Sequence, residues 1–166
     1  MKEIVTVTGP IAPGELGFCQ CHEHIAMSKG KSWYLNPALC IDDMAKSLEE
    51  VKRYKSSGGD SFIEAQPCGC NRMTEDLRKL SMKSGVHIVA STGFHKLCFY
   101  PDSHWIHSIS ETDLEEIFVR ELTVGMYTDA DYPYPSVQCS AKAGIIKTAY
   151  DTEELSPRYK KLFRAA

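Results

Sequence analysis

Residues 86–92 read Val-His-Ile-Val-Ala-Ser-Thr. A strand with one wet face alternates apolar and polar residues. This run is apolar at nearly every step, which suits a strand covered on both faces, as in a parallel sheet. Three further runs share its short, Gly- or Pro-bounded character: Phe18–His24, Ser61–Gln66 and Gly144–Ala149. Helical patterns lie between them. Ile41, Met44, Ala45, Leu48 and Val51 form one stripe that Gly58-Gly59 closes. Thr74 caps a short helix through Leu77 and Leu80, ended by Gly85. Thr112 and Glu115 make a capping box before Ile117, Phe118 and Leu122. Ser156-Pro157 supplies a cap and a first-turn proline for the last helix.

Outside this alternation, the opening Glu3–Leu16 segment is broken by Gly9-Pro10 and Pro13-Gly14, which predicts a small hairpin before the first strand. Gly125–Gln138, rich in Tyr, Asp and Pro, reads as a loop. Strands alternating with helices predict an α/β fold with a parallel sheet and right-handed crossovers. An open doubly wound sheet and part of a closed barrel both fit.

The 166 residues fit one domain, residues 1–166, and are too few to expect two. A net charge of −3 gives no electrostatic case for nucleic acid or an anionic membrane. No apolar run reaches membrane-spanning length, and Met1-Lys2-Glu3-Ile4-Val5 has no signal core. The expectation is a cytoplasmic protein with reduced thiols, to which the odd count of seven cysteines conforms.

His22-Glu23-His24 ends the first strand run. Alternation sends both imidazoles to one side, where they could hold a zinc-like cation; a chance pair of histidines is the competing reading. Lys147 sits inside an apolar strand. It either snorkels to solvent, or is a buried amine of lowered pKa able to take up carbon dioxide as a carbamate. Glu64 within Phe62-Ile63-Glu64-Ala65 needs a cation or donors, in support of a metal site or in a structural ion pair. Arg72, His95, Tyr100 and His104 follow strands in loops that could contact substrate, or pack against their own surroundings. Cys19, Cys21, Cys68 and Cys70 form Cys-x-Cys pairs. That spacing is not the usual zinc knuckle and points instead to small buried hydrophobes. There is no Gly-rich phosphate loop.

Taken in order, Thr6-Val7-Thr8-Gly9-Pro10-Ile11, Glu15-Leu16-Gly17, His22-Glu23-His24-Ile25, Phe62-Ile63-Glu64-Ala65-Gln66-Pro67 with Gly69 and Arg72, Gly85–Phe94, Ala143–Lys147 and the Leu162–Ala166 terminus resemble the phosphotriesterase-like family of the amidohydrolase superfamily. The resemblance spans nearly the whole chain. It implies a (β/α)8 TIM-type barrel preceded by a short β-hairpin, with only about the first four β/α units present. It also implies two divalent ions, usually zinc, held by His22, His24 and a carboxylated Lys147 that bridges them. Hydroxide shared by the metals would attack an ester, lactone or phosphoester of a small molecule.

The resemblance further implies two histidines and an aspartate from the fifth, sixth and eighth strands, beyond the fourth unit where these 166 residues stop. Three candidate ligands stand where a two-metal site needs about six. A truncated product, a piece of a longer chain, and a half that pairs with another copy all remain open. The functional alternatives are an inactive, metal-binding half-barrel and an open α/β binding protein.

Overall fold

The computed structural model describes residues 2–132 and 134–166. An antiparallel hairpin, β1 (Ile4–Thr6) and β2 (Gly9–Ile11), is followed by a 3₁₀ turn at Pro13–Leu16. Then come β3 (Cys19–Glu23), α1 (Lys31–Leu35), α2 (Met44–Ser56), β4 (Ser61–Glu64), α3 (Thr74–Ser84), β5 (His87–Gly93), α4 (Glu111–Thr123), β6 (Ile145–Lys147) and α5 (Pro157–Ala165).

Strands β3 to β6 form one sheet in sequence order, every pair parallel. A doubly wound sheet reverses its strand order at a switch point. This one does not, so the arrangement is the arc of a barrel, left unclosed with β3 and β6 as its edges. Burial follows position in the arc. All but the first residue of β5 is buried, and β4 nearly so. The edge strands β3 and β6 expose residues, Ile146 at 38% among them.

Two apolar clusters hold the helices to the sheet. Val51 of α2 and Leu77 and Leu80 of α3 pack over Phe62, Ile88 and Ala90. Leu114, Ile117 and Phe118 of α4 and Tyr159 and Leu162 of α5 surround Phe94, Tyr100 and Ile106. Each fully buried Leu, Ile or Phe contributes about 1.5–3 kcal/mol. The hairpin docks at the opposite end from the site described below, where Val7 is buried and its N–H donates to the Ile88 carbonyl at 2.9 Å.

Local signals hold in most places. Gly85 ends α3 in the left-handed region at φ 70°, and Ser156 Oγ caps α5 through Tyr159 N–H at 3.3 Å. Others are displaced. The hairpin turns at Val7-Thr8, and Gly9 and Pro10 pair within β2. Ser110, not Thr112, caps α4, accepting from Asp113 N–H at 3.1 Å. Thr74 is the first residue of α3, and its hydroxyl accepts from Arg72 Nε instead of capping. Ile41 lies outside α2, bridged to Met27, and α1 carries no periodic signal in the sequence. The Gly125–Gln138 loop holds a Tyr127–Gln138 bridge; Pro133 within it lies outside the described residues.

Candidate metal centre

The parallel strands bring their C-terminal ends to one rim. His22 near the end of β3 and His24 just beyond it bring their rings edge to face, with centroids 5.4 Å apart. Glu64, at the end of β4, is fully buried. Its carboxylate accepts from Ile25 N–H at 2.7 Å and Gln66 N–H at 3.2 Å, and stands 3.3 Å from His24 Nδ1. That nitrogen is buried and is within ion-pairing distance without the alignment of a hydrogen bond. A carboxylate beside one ring nitrogen leaves the other free to bind a metal, the usual outer arrangement of a ligating histidine.

Lys147 ends β6. Its Nζ is buried and makes no hydrogen bond, so the snorkelling alternative does not describe it. Burial pulls its pKa down to about 8, against the opposing pull of Cys70 and Glu64. The amine is thus far more often neutral near physiological pH than an ordinary lysine. Its backbone is fixed from β5. Phe94 N–H donates to the Lys147 carbonyl at 2.9 Å, and Gly93 has φ 98° in a place where a Cβ would collide with that carbonyl. Gly93 answers both demands, the left-handed backbone and the close approach.

His95 follows β5 and shares this field. Burial first, then the nearby Lys147 amine, push its pKa down to about 3. Its Nδ1 accepts from Lys96 N–H at 2.7 Å. The neutral ring therefore carries its proton on Nε2, as a donor, a tautomer assigned from this hydrogen bond.

Three of the expected substrate contacts are buried in the structure. Arg72, with its side chain 2% exposed, commits all its N–H groups: to Thr74 Oγ1, to the Ser91 and Tyr127 carbonyls, and to both oxygens of buried Glu121 at 2.6 and 3.1 Å. Tyr100 is fully buried, its hydroxyl accepting from His95 N–H at 2.8 Å. His104 is 2% exposed and its Nδ1 accepts from Ile106 N–H at 3.1 Å. Of the three, His104 keeps a buried Nε2 without a hydrogen-bond partner. Of the cysteines, Cys68 and Cys70 are buried as expected, and burial raises the Cys70 thiol to about 12. Cys21 is exposed because β3 is an edge strand.

Sequence reasoning missed Glu121, whose signal was an acid on the apolar stripe of α4 beside Ile117 and Phe118. It also missed Gly93, whose demand comes from a neighbouring strand and leaves no local trace. Among the described residues, no group of three or more His, Cys, Asp or Glu side chains is arranged to hold a metal. The side chains that could hold a cation at this rim are the imidazole pair and, if it were carboxylated, the buried Lys147 amine, which has no hydrogen-bond partner.

The chain is 31% identical over 150 residues to a phospho-furanose lactonase of Mycoplasmopsis agalactiae, covering 88% of this chain and 42% of the relative. It is 26% identical over 152 residues to an N-acetyltaurine hydrolase of Tetraodon nigroviridis, covering 74% and 43%. Among solved structures, an amidohydrolase from Mycoplasma synoviae superposes with a TM-score of 0.89 at 26% identity, covering 99% of this chain and 48% of that one. A lactonase from Listeria monocytogenes gives 0.84 at 26% identity, covering 99% and 52%. The chain therefore spans about half the length of the relatives it matches. It matches the Phosphotriesterase family across residues 2–166, and to that family of hydrolases it belongs.

Proposed function

We propose that this chain supplies the first half of the active site of a metal-dependent hydrolase that opens lactones or related esters. The observation that carries the reading is the buried, unpartnered Lys147 amine set on the same rim as Glu64 and the His22–His24 pair. His22, His24 and carboxylated Lys147 would hold the divalent ions, zinc first among the candidates. Such ions acidify water and polarise a substrate oxygen. Glu64 orients His24. Lys147, neutral in an appreciable fraction, is free to take up carbon dioxide as a carbamate. His95 offers its Nε2–H to a substrate oxygen. The names of the lactonase relatives support a cyclic ester as substrate; the N-acetyltaurine hydrolase relative extends the class to an amide. Free thiols at all seven cysteines suit a reducing, cytoplasmic setting.

The second reading, an inert half-barrel, draws on the absence of any three-residue ligand cluster among the described residues. Isotope-labelled bicarbonate separates the two. With zinc present, a carbamate carbon signal that vanishes in Lys147→Met is the expected result, with little hydrolysis of a phosphorylated furanose lactone by these 166 residues alone. No carbamate signal under saturating zinc and bicarbonate would leave the inert reading standing.

A further inference from the structure

The end of the sheet opposite the metal centre holds a polar cavity of about 310 Å³. The N-terminal hairpin, α3 and residues 140–142 enclose it. Two cations, Arg78 and Lys142, stand on its wall against one acid, Glu3, with the hydroxyl residues Thr6, Thr8 and Ser140 between them.

The backbone that carries the two cations is fixed. Lys142 stands between buried Ala141 and Ala143. The Ala141 carbonyl accepts from Met126 N–H at 2.7 Å, and Ala143 N–H donates to the Glu121 carbonyl at 3.0 Å. Arg78 follows fully buried Leu77 on α3. The hairpin wall is stiff as well. Thr6 Oγ1 donates to the Gly9 carbonyl at 2.6 Å, which uses its one hydroxyl hydrogen, so Thr8 Oγ1 is the donor in their 3.1 Å contact. Exposed Ser140 keeps a hydroxyl with no protein partner among the described residues.

Both cations lack a counter-ion. On the same helix, Lys79 pairs with Asp76 at 3.0 Å, three residues away. Arg78 has Glu75 at the same spacing, yet among the described residues it makes no ion pair or hydrogen bond with Glu75 or any other side chain, and neither does Lys142. Two like charges on one wall repel each other unless an anion stands between them.

We propose that this cavity binds a phosphate dianion, either free or carried on a small metabolite. The guanidinium of Arg78 offers parallel N–H groups to two phosphate oxygens, the Lys142 ammonium adds a point charge, and Ser140 supplies a neutral donor. The dianion balances the two cations. A volume of about 310 Å³ lies at the small end of ligand pockets and leaves room for a few atoms beyond the phosphate. Bound there, the ligand ties α3 to the segment that leads into β6. The site is separate from the proposed metal centre and needs no metal.

Calorimetric titration of the metal-free 166-residue chain with inorganic phosphate at constant ionic strength tests the site. Arg78→Gln and Lys142→Gln alter side chains that are not buried, so the fold is retained, and each is expected to weaken phosphate binding about tenfold or more. Glu3→Gln removes the opposing charge and is expected to tighten binding about two- to fivefold. Lys83→Gln, exposed on the same helix but outside the cavity, changes the net charge equally and should leave affinity unaltered. Ribose 5-phosphate as a second titrant separates the two sources: tighter binding than phosphate identifies a phosphorylated metabolite, and equal binding identifies the free ion. Absence of saturable phosphate binding by the wild type would overturn the proposal. So would affinity unchanged in both Arg78→Gln and Lys142→Gln, or a loss in Lys83→Gln as large as theirs, which would reduce the effect to overall charge.

Discussion

Replacing Glu121 by Leu strands a buried cation. In the wild type, Arg72 and Glu121 meet through two contacts of 2.6 and 3.1 Å with side chains 2% and 0% exposed. Burial works against the guanidinium charge, yet Glu121 holds its pKa above the ordinary value, so Arg72 stays charged at any accessible pH. Removing one partner of such a pair costs about 3–5 kcal/mol. Tyr127 N–H, which donates to Glu121 at 2.9 Å, is orphaned as well, adding about 1 kcal/mol. The paired change Arg72→Met with Glu121→Leu removes both charges and should cost less than the single change, although the Ser91 and Tyr127 carbonyls lose their donor. Urea unfolding at fixed protein concentration reads all three chains, with an unchanged slope confirming a stability effect. A loss under about 1 kcal/mol for Glu121→Leu, or a double variant less stable than the single one, would refute the view that this pair is a mutually dependent clamp.

Gly93→Ala forces a Cβ into the Lys147 carbonyl at φ 98°, and should lower stability by about 1–3 kcal/mol from backbone strain alone, read by the urea midpoint; a change within about 0.5 kcal/mol would contradict it. Glu64→Gln keeps the shape but removes the charge beside His24, and should weaken zinc binding about 10–100-fold in a competition titration, whereas unchanged affinity would deny it an orienting role. Lys147 gives a signed pH dependence. Between its folded pKa of about 8 and the ordinary 10.5, the unfolded chain holds a proton that the folded chain has released. Stability of the metal-free, carbonate-free protein therefore rises with pH through that window, by about 3 kcal/mol at most. Lys147→Met should flatten the rise, and an equal rise in that variant would show another group to be responsible.

The sequence disclosed what depends on local pattern. The apolar run at residues 86–92 gave a strand buried on both faces, and the cap at Ser156-Pro157 gave α5 its start. The two imidazoles of His22-Glu23-His24, expected on one side by alternation, do come together at the end of β3, although the strand register shifts there. What stayed hidden depends on contacts far apart in the chain. Arg72 looked free after its strand because its partners, Ser91, Glu121 and Tyr127, lie on other elements. Tyr100 and His104 sit in a loop for which substrate contact and packing of its own aromatics both stood open, because such packing leaves no periodic trace in the sequence. Cys19 and Cys21 follow from the unfinished arc, since an edge strand exposes residues that an interior strand would bury.

The most direct measurement is zinc content by elemental analysis of the purified chain beside His22→Asn, His24→Asn and Lys147→Met, all saturated with zinc and bicarbonate and then desalted. Zinc retained by the wild type and lost from each of the three variants is the expected result. Zinc retained equally by all four, or by none, would contradict the claim that these residues form the metal-holding half of the site.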